Sequence, residues 1–138
     1  MTPGSAIRAL FPYSSETEGV TVRVAVSFLP EQSDAARDRW FWTYHIRVEN
    51  GGAREVQLVS RHWLITDGRG GRHRVEGAGV VGEQPLIGPG ESYDYVSGCP
   101  LDTPTGAMEG SYTMVAADGV SFRAAIPRFP LQAPATAA

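Results

Sequence analysis

Lysine is absent from this chain of 138 residues, and cysteine occurs once, at Cys99. A single cysteine excludes an internal disulfide and a cysteine-rich zinc site. No run approaches the roughly 18 consecutive apolar residues of a membrane-spanning helix, so we expect no membrane span. Residues 1–12 contain one arginine and no continuous apolar core, which is unlike a secretory signal peptide and favours a cytoplasmic location.

Charge is distributed unevenly along the chain. The net charge is −3, and every basic residue is an arginine. Residues 61–74 carry four arginines and one aspartate, whereas residues 75–122 carry seven acidic residues and no arginine. Because the chain is acidic overall and no aromatic residues alternate with the arginines, general nucleic-acid binding is disfavoured.

Alternation of apolar and polar residues predicts an all-β protein. It is clearest where valine or aromatic residues occupy every second position, as on the buried face of a strand. The alternating segments are residues 20–29, 39–49, 55–66, 72–76, 92–96, 111–116 and 120–126. Turn sequences such as Asn50-Gly51 and Asp118-Gly119 separate them. About seven short strands of this kind predict an antiparallel β-sandwich.

We place a single sandwich domain at residues 20–131. Residues 1–19 are predicted to form an N-terminal extension, and residues 132–138 a flexible tail with little to pack against the domain. Nothing repeats at a fixed period and no low-complexity block divides the chain, which indicates one domain.

A glycine-rich segment over residues 77–82 matches the G-x-G-x-x-G pattern of dinucleotide-binding loops. That site needs a helix directly after the loop, and Pro85 and Pro89 exclude one. Two interpretations remain: a close-packed loop crossing between the sheets, or a nest of backbone amides that binds phosphate, pyrophosphate or a nucleotide. The candidate residues for the second interpretation are Gly77, Gly79, Gly82, Glu83 and Gln84.

A cationic run precedes this loop, and its candidate residues are Arg61, His62, Arg69 and Arg72. If Arg69 and Arg72 lie beside the loop, they could receive a phosphate or a partner's carboxylates, because the guanidinium group presents a planar fork of donors. The alternative is that Arg61 and His62 face solvent or pair with acidic residues of the following segment.

Patterns for catalysis and metal binding are weak. His45, His62 and His73 lie 17 and 11 residues apart, which supports no transition-metal site, and scattered carboxylates allow only a weak divalent cation. The tripeptide at residues 97–99 is typical of a turn, no base lies near it, and the G-x-S-x-G motif is absent. We expect neither an enzyme nor a required cofactor.

Three segments resemble the ApaG family: residues 60–70 (SRHWLITDGRG), 75–98 (VEGAGVVGEQPLIGPGESYDYVSG) and 103–114 (TPTGAMEGSYTM). The resemblance extends over roughly residues 20–131. It implies an immunoglobulin-like, fibronectin type III-type sandwich. It also implies either an accessory role in cobalt and magnesium resistance or a role in protein interaction, since related domains occur in F-box proteins.

Two positions depart from the pattern of that family. Ala78 stands where an acidic residue is usual, and Arg74 where glutamate is frequent, so the loop is more cationic and favours an anionic partner over Mg²⁺ or Co²⁺. We expect a non-enzymatic module that binds another protein through residues 61–90. The alternatives are small-anion binding and a role in divalent-ion tolerance, and an exposed edge strand would allow a homodimer.

Overall fold

The computed structural model describes residues 10–135. Its strands are β1 (Tyr13–Thr17), β2 (Val20–Phe28), β3 (Trp40–Asn50), β4 (Val56–Asp67), β5 (Arg72–Ala78), β6 (Leu86–Ile87), β7 (Ser92–Leu101), β8 (Thr105–Ala116) and β9 (Ser121–Gln132). Two short 3-10 turns, Pro30–Gln32 and Ala35–Arg37, connect β2 to β3. Within the described residues, no helix is long and apolar enough to cross a membrane.

The strands form two antiparallel sheets. The first sheet has the order β1-β2-β3-β7, and the second has the order β5-β4-β8-β9, with β6 paired to the beginning of β4. The predicted all-β sandwich is therefore confirmed. Residues 10–135 form nine strands where the sequence predicted about seven, and the two short strands β1 and β6 account for the difference.

Alternation decides which side chains enter the core between the sheets. In β3 every second residue is buried, beginning with Trp40, as the sequence predicted. From the opposite sheet, Tyr112, Met114 and Phe129 are fully buried. Burial of each such side chain contributes about 2–3 kcal/mol to the stability of the fold.

The predicted domain boundaries differ from the strands at both ends. Strand β1 lies inside the segment 1–19 that we expected to be an extension, and it pairs with residues 20–24 of β2. The sandwich therefore begins before Val20, and β9 continues to Gln132. Residues 1–9 of the extension and 136–138 of the tail lie outside the described residues.

The two lateral sides of the sandwich are built differently. On one side β1 meets β9, where Ser15 Oγ donates a hydrogen bond to the Ala125 carbonyl (2.5 Å) and the Ala125 amide donates one to Thr17 Oγ1 (3.1 Å). On the other side the edge strands are β5 and β7. Within residues 10–135 no hydrogen bond joins these two strands, so this side of the sandwich is open.

Candidate functional site: a cleft between two edge strands

A cleft of about 740 Å³ opens between β5 and β7. Its floor consists of apolar and aromatic side chains from both sheets: Tyr44, Trp63, Leu101 and Met108. Charged residues surround the mouth: residues 37–39 at the end of the second 3-10 turn, Asp67 and His73 of the β4–β5 hairpin, and Asp102.

Arg61 brings a positive charge into this cleft from within the second sheet. A β-bulge between Leu58 and Ser60 shifts the register of β4, so that Arg61 lies opposite the buried Tyr112 and shares a face with Trp63. Its Nη1 donates hydrogen bonds to the carbonyl oxygens of Ala78 and Gly79, both at 3.0 Å. Arg61 is therefore held between the sheets, half-buried, at the end of the cleft that adjoins the glycine-rich loop.

Two of the three acidic residues that line the cleft, Asp67 and Asp102, are engaged elsewhere; the third, Asp38, ends the second 3-10 turn, where it has positive φ. Asp67 Oδ1 accepts hydrogen bonds from the backbone amides of Gly71 and Arg69, each at 2.9 Å, and these bonds hold the pKa of Asp67 below its usual value. Asp102 pairs with the side chain of Arg69 at 2.7 Å. Within the described residues Arg61 forms no ion pair, so its positive charge has no partner carboxylate.

Three tyrosines from the two sheets lie close to Arg61. The hydroxyl groups of Tyr95 and Tyr112 form a short hydrogen bond with each other. Burial raises the pKa of both groups and that of Tyr44, so all three are neutral at physiological pH. Of the three, Tyr44 lines the cleft, and none of them neutralises the arginine.

Cys99 lines the same cleft but is buried. Burial raises the pKa of its thiol to about 11. Since the thiolate is the reactive form, Cys99 is not an activated nucleophile. Residues 97–99, predicted to be a turn, are instead the middle of β7, and that prediction was wrong.

The glycine-rich loop is a tight hairpin that connects β5 to β6. The Val80 amide donates to the Glu83 carbonyl (2.8 Å), and the Glu83 amide donates back (2.9 Å), while Val81 and Gly82 have positive φ. The Gly79 amide donates to the Val59 carbonyl at 2.9 Å. The predicted crossing between sheets was wrong, because β5 and β6 both pair with β4.

This hairpin also shows what the loop presents to a ligand. The amides of Gly79, Val80 and Glu83 already donate within the protein, and Gln84 Nε2 donates to the Val59 carbonyl at 2.8 Å. The groups that face Arg61 are carbonyl oxygens. An anion would find few free amides here.

The remaining candidate residues are dispersed. Arg69 and Arg72 lie at the β4–β5 hairpin, at the end of β5 opposite to the glycine-rich loop. An anion site shared by these arginines and the loop requires them to lie side by side, and they do not. Arg61, by contrast, lies beside Gly77 and Gly79. Within residues 10–135 Arg61 pairs with no acidic residue, and the bulge places its side chain between the sheets, with part of it in contact with solvent.

His62 belongs to a polar cluster separate from the cleft lining. Its Nε2 lies 3.1 Å from Ser60 Oγ and 2.9 Å from Thr113 Oγ1, and its Nδ1 lies 3.7 Å from the Glu76 carboxylate. The hydroxyl groups of Ser60 and Thr113 therefore lie within hydrogen-bond distance of the same ring nitrogen of His62. Within the described residues no group of three or more His, Cys, Asp and Glu side chains is placed to hold a metal ion. The predicted weak divalent-cation site therefore has no set of ligands in that part of the chain.

Comparison with known proteins identifies the family. The ApaG domain profile matches residues 30–116. The chain belongs to the ApaG family. It is 55% identical to Protein ApaG of Methylobacterium sp. (strain 4-46) over 122 residues, which are 88% of this chain and 94% of that protein. Protein ApaG of Afipia carboxidovorans is 52% identical over the same shares.

Two solved structures share the fold of this chain. The crystal structure of a Bordetella pertussis protein named ApaA matches with a TM-score of 0.82 and 45% identity, over 84% of this chain and 94% of that one. A second X-ray structure matches with a TM-score of 0.80 and 41% identity, over 85% of this chain and 89% of that one.

Sequence reasoning missed most of the cleft. It identified Arg61 but not Tyr44, Trp63, Ser97 or Cys99, which line the same space. A signal was available: Arg61, Trp63 and Ile65 are spaced by two residues, which on a strand places them on one face.

Proposed function

We propose that this ApaG chain is a non-enzymatic module that binds a protein partner, and that a segment of the partner occupies the cleft between β5 and β7. The observation that carries this proposal is the cleft itself. Its aromatic and methionine floor and its charged mouth have the composition of protein-binding surfaces, where aromatic residues, methionine and arginine are enriched.

An extended segment suits this cleft because edge strands form both of its walls. An unpaired edge presents free amides and carbonyls, and an added peptide strand can bond to them while its side chains enter the cleft. On β5 every residue except Gly77 is exposed. Val75 lines the cleft and is 41% exposed, so apolar surface is available on that wall.

Other candidate functions have less support in the geometry. Small-anion binding at the glycine-rich loop is disfavoured by the loop amides that already donate within the protein. Nucleophilic catalysis by Cys99 is disfavoured by the raised pKa of its thiol. A role in divalent-ion tolerance, a cytoplasmic location and a homodimer stay predictions.

Selection from a peptide library tests the proposal. We expect the protein to select peptides from a phage-displayed library and to lose about three- to tenfold in affinity for them in Val75→Gln, which makes the cleft wall polar without adding charge. The matched control is Val96→Gln: Val96 is 57% exposed on β7 and is not part of the cleft lining. Selection of no peptide, or equal affinity of both variants for the selected peptides, would contradict the proposal.

A further inference from the structure

We infer that Arg61 receives a carboxylate of the bound segment, so that the partner of the cleft is an extended peptide with an aspartate or glutamate side chain directed between the sheets. This inference rests on the proposed function and specifies the chemistry of the ligand. Three observations carry it: the fixed position of the guanidinium, the absence of a carboxylate partner among the described residues, and the donors that stay free.

The position of the guanidinium is fixed before any ligand binds. Nη1 is held by the carbonyls of Ala78 and Gly79, and the group lies directly against Gly77, where any β-carbon would come within 2.8 Å of Nη2. Such pre-organisation means that little side-chain freedom is lost when a ligand binds.

The charge of Arg61 is uncompensated in a half-buried position. Asp67 is occupied by backbone amides and Asp102 by Arg69, while the nearby tyrosines are neutral. The free nitrogens of Arg61 still reach water, but a bound segment that covers them would withdraw the charge from water, and a carboxylate of that segment would offset the penalty. The cleft therefore favours an anionic group at this end over a neutral one.

The donors of Arg61 that stay free match a carboxylate. Nε and Nη2 donate to no acceptor within residues 10–135. The fully buried polar side-chain atoms without a hydrogen bond in that range belong to Arg23 and His62, so both free nitrogens of Arg61 keep access to solvent. Two parallel N–H groups fit the two oxygens of a carboxylate. Phosphate or pyrophosphate would bring more negative charge than one carboxylate does beside the loop carbonyls that hold Arg61.

The test uses the selected peptides, synthesised with acetylated and amidated ends so that the side chain is the sole source of a carboxylate. We expect them to share an aspartate or glutamate, and replacement of that residue by asparagine or glutamine to weaken binding about tenfold or more, measured by fluorescence polarisation. Arg61→Gln should lower the affinity for the acidic peptide by a similar factor and leave the affinity for the amide peptide nearly unchanged. Inorganic pyrophosphate at millimolar concentration should not displace the acidic peptide.

Two further variants address fold and specificity. Arg74→Gln removes an arginine that is exposed on β5 and does not line the cleft, so it should bind as the wild type does. Gly77→Ala retains Arg61 but displaces its guanidinium, so this variant should also bind the acidic peptide with lower affinity. If Arg61→Gln does not fold, Gly77→Ala gives the decisive comparison.

The outcomes separate the two proposals. Two results would overturn the carboxylate inference and leave the protein-binding function intact. In the first, the selected peptides require Val75 but share no acidic residue. In the second, they bind the Arg61→Gln and Gly77→Ala variants as tightly as the wild-type protein. Displacement of the acidic peptide by pyrophosphate also overturns it. Selection of no peptide overturns both proposals.

Discussion

The guanidinium of Arg61 and the α-carbon of Gly77 are in direct contact across β4 and β5. A β-carbon at Gly77 would lie 2.8 Å from Nη2 and 2.9 Å from Cζ of that arginine. Gly77 is not among the residues with positive φ, whereas Gly79 and Gly82 are. The first glycine of the G-x-G-x-x-G pattern thus makes room for a side chain, and the other two permit the turn.

Stability measurements on three alanine variants should separate the two roles of these glycines, room for a neighbouring group and a positive φ. Gly82→Ala encounters no atom within 4 Å but has φ of 82°, which by itself costs about 1–3 kcal/mol. Gly79→Ala adds a β-carbon 2.2 Å from the Glu83 carbonyl oxygen, so it should lose more. Gly77→Ala displaces the guanidinium of Arg61 but meets no backbone atom and needs no positive φ, so it should lose the least stability. Urea unfolding checks the order, and Gly77→Ala as the most destabilised variant would contradict it.

The paired hydroxyls of Tyr95 and Tyr112 should show coupling in a double-mutant cycle. Tyr112→Phe leaves the largely buried hydroxyl of Tyr95 without its partner, at a cost of about 1–3 kcal/mol. Tyr95→Phe has the corresponding effect on Tyr112. The double variant should lose less stability than the sum of the single variants, measured by urea unfolding. Additive losses would show that the two hydroxyls do not depend on each other.

Asp67 should contribute to the acid sensitivity of the fold. Amides of Gly71 and Arg69 lower its pKa in the folded protein, so the carboxylate stabilises the fold above its unfolded pKa of about 3.9. That contribution is lost as the pH falls through the lower, folded pKa. Between pH 6 and pH 3 the free energy of unfolding should therefore decrease less in Asp67→Asn than in the wild type. An equal decrease in both proteins would contradict this assignment.

Cys99 should react slowly in the native protein. With burial and a thiol pKa of about 11, its thiolate fraction at pH 8 is on the order of a hundredfold below that of an unfolded thiol of pKa about 8.5. Alkylation by iodoacetamide, followed by mass spectrometry, should proceed at least that much more slowly than in urea. Native labelling at the unfolded rate would show that the thiol is exposed or activated.

The sequence predicted the sandwich because alternation reports a strand with one buried face, as in β3. It failed where packing overrides local signals. Gly98 and Pro100 are typical of a turn, yet both lie within β7: the ring of Phe41 would meet a β-carbon on Gly98 at 2.3 Å. Proline is tolerated on an edge strand because it has no N–H group and the outer side of that strand pairs with no neighbouring strand. Strand β1 was missed because its residues, YSSET, are polar and carry little apolar alternation.

The cleft could be predicted only in part. Arg61 was identified as a candidate, but the bulge before Ser60 decides which way it points, and a bulge arises from pairing with β8. Likewise, whether Arg69 meets the glycine-rich loop depends on the length of β5, which separates them. Single-sequence patterns describe one strand at a time, whereas the cleft is made where two edge strands from different sheets face each other.

The most direct test of the account is chemical-shift mapping of the isotope-labelled protein with a selected acidic peptide. We predict that the largest changes occur at the amides of β5, at those of residues 97–99 and of Leu101 in β7, and at the Nε–H of Arg61. Changes confined to the outer face of the second sheet, around His62 and Thr113, with the cleft residues unaffected, would contradict the claim that this cleft binds the partner.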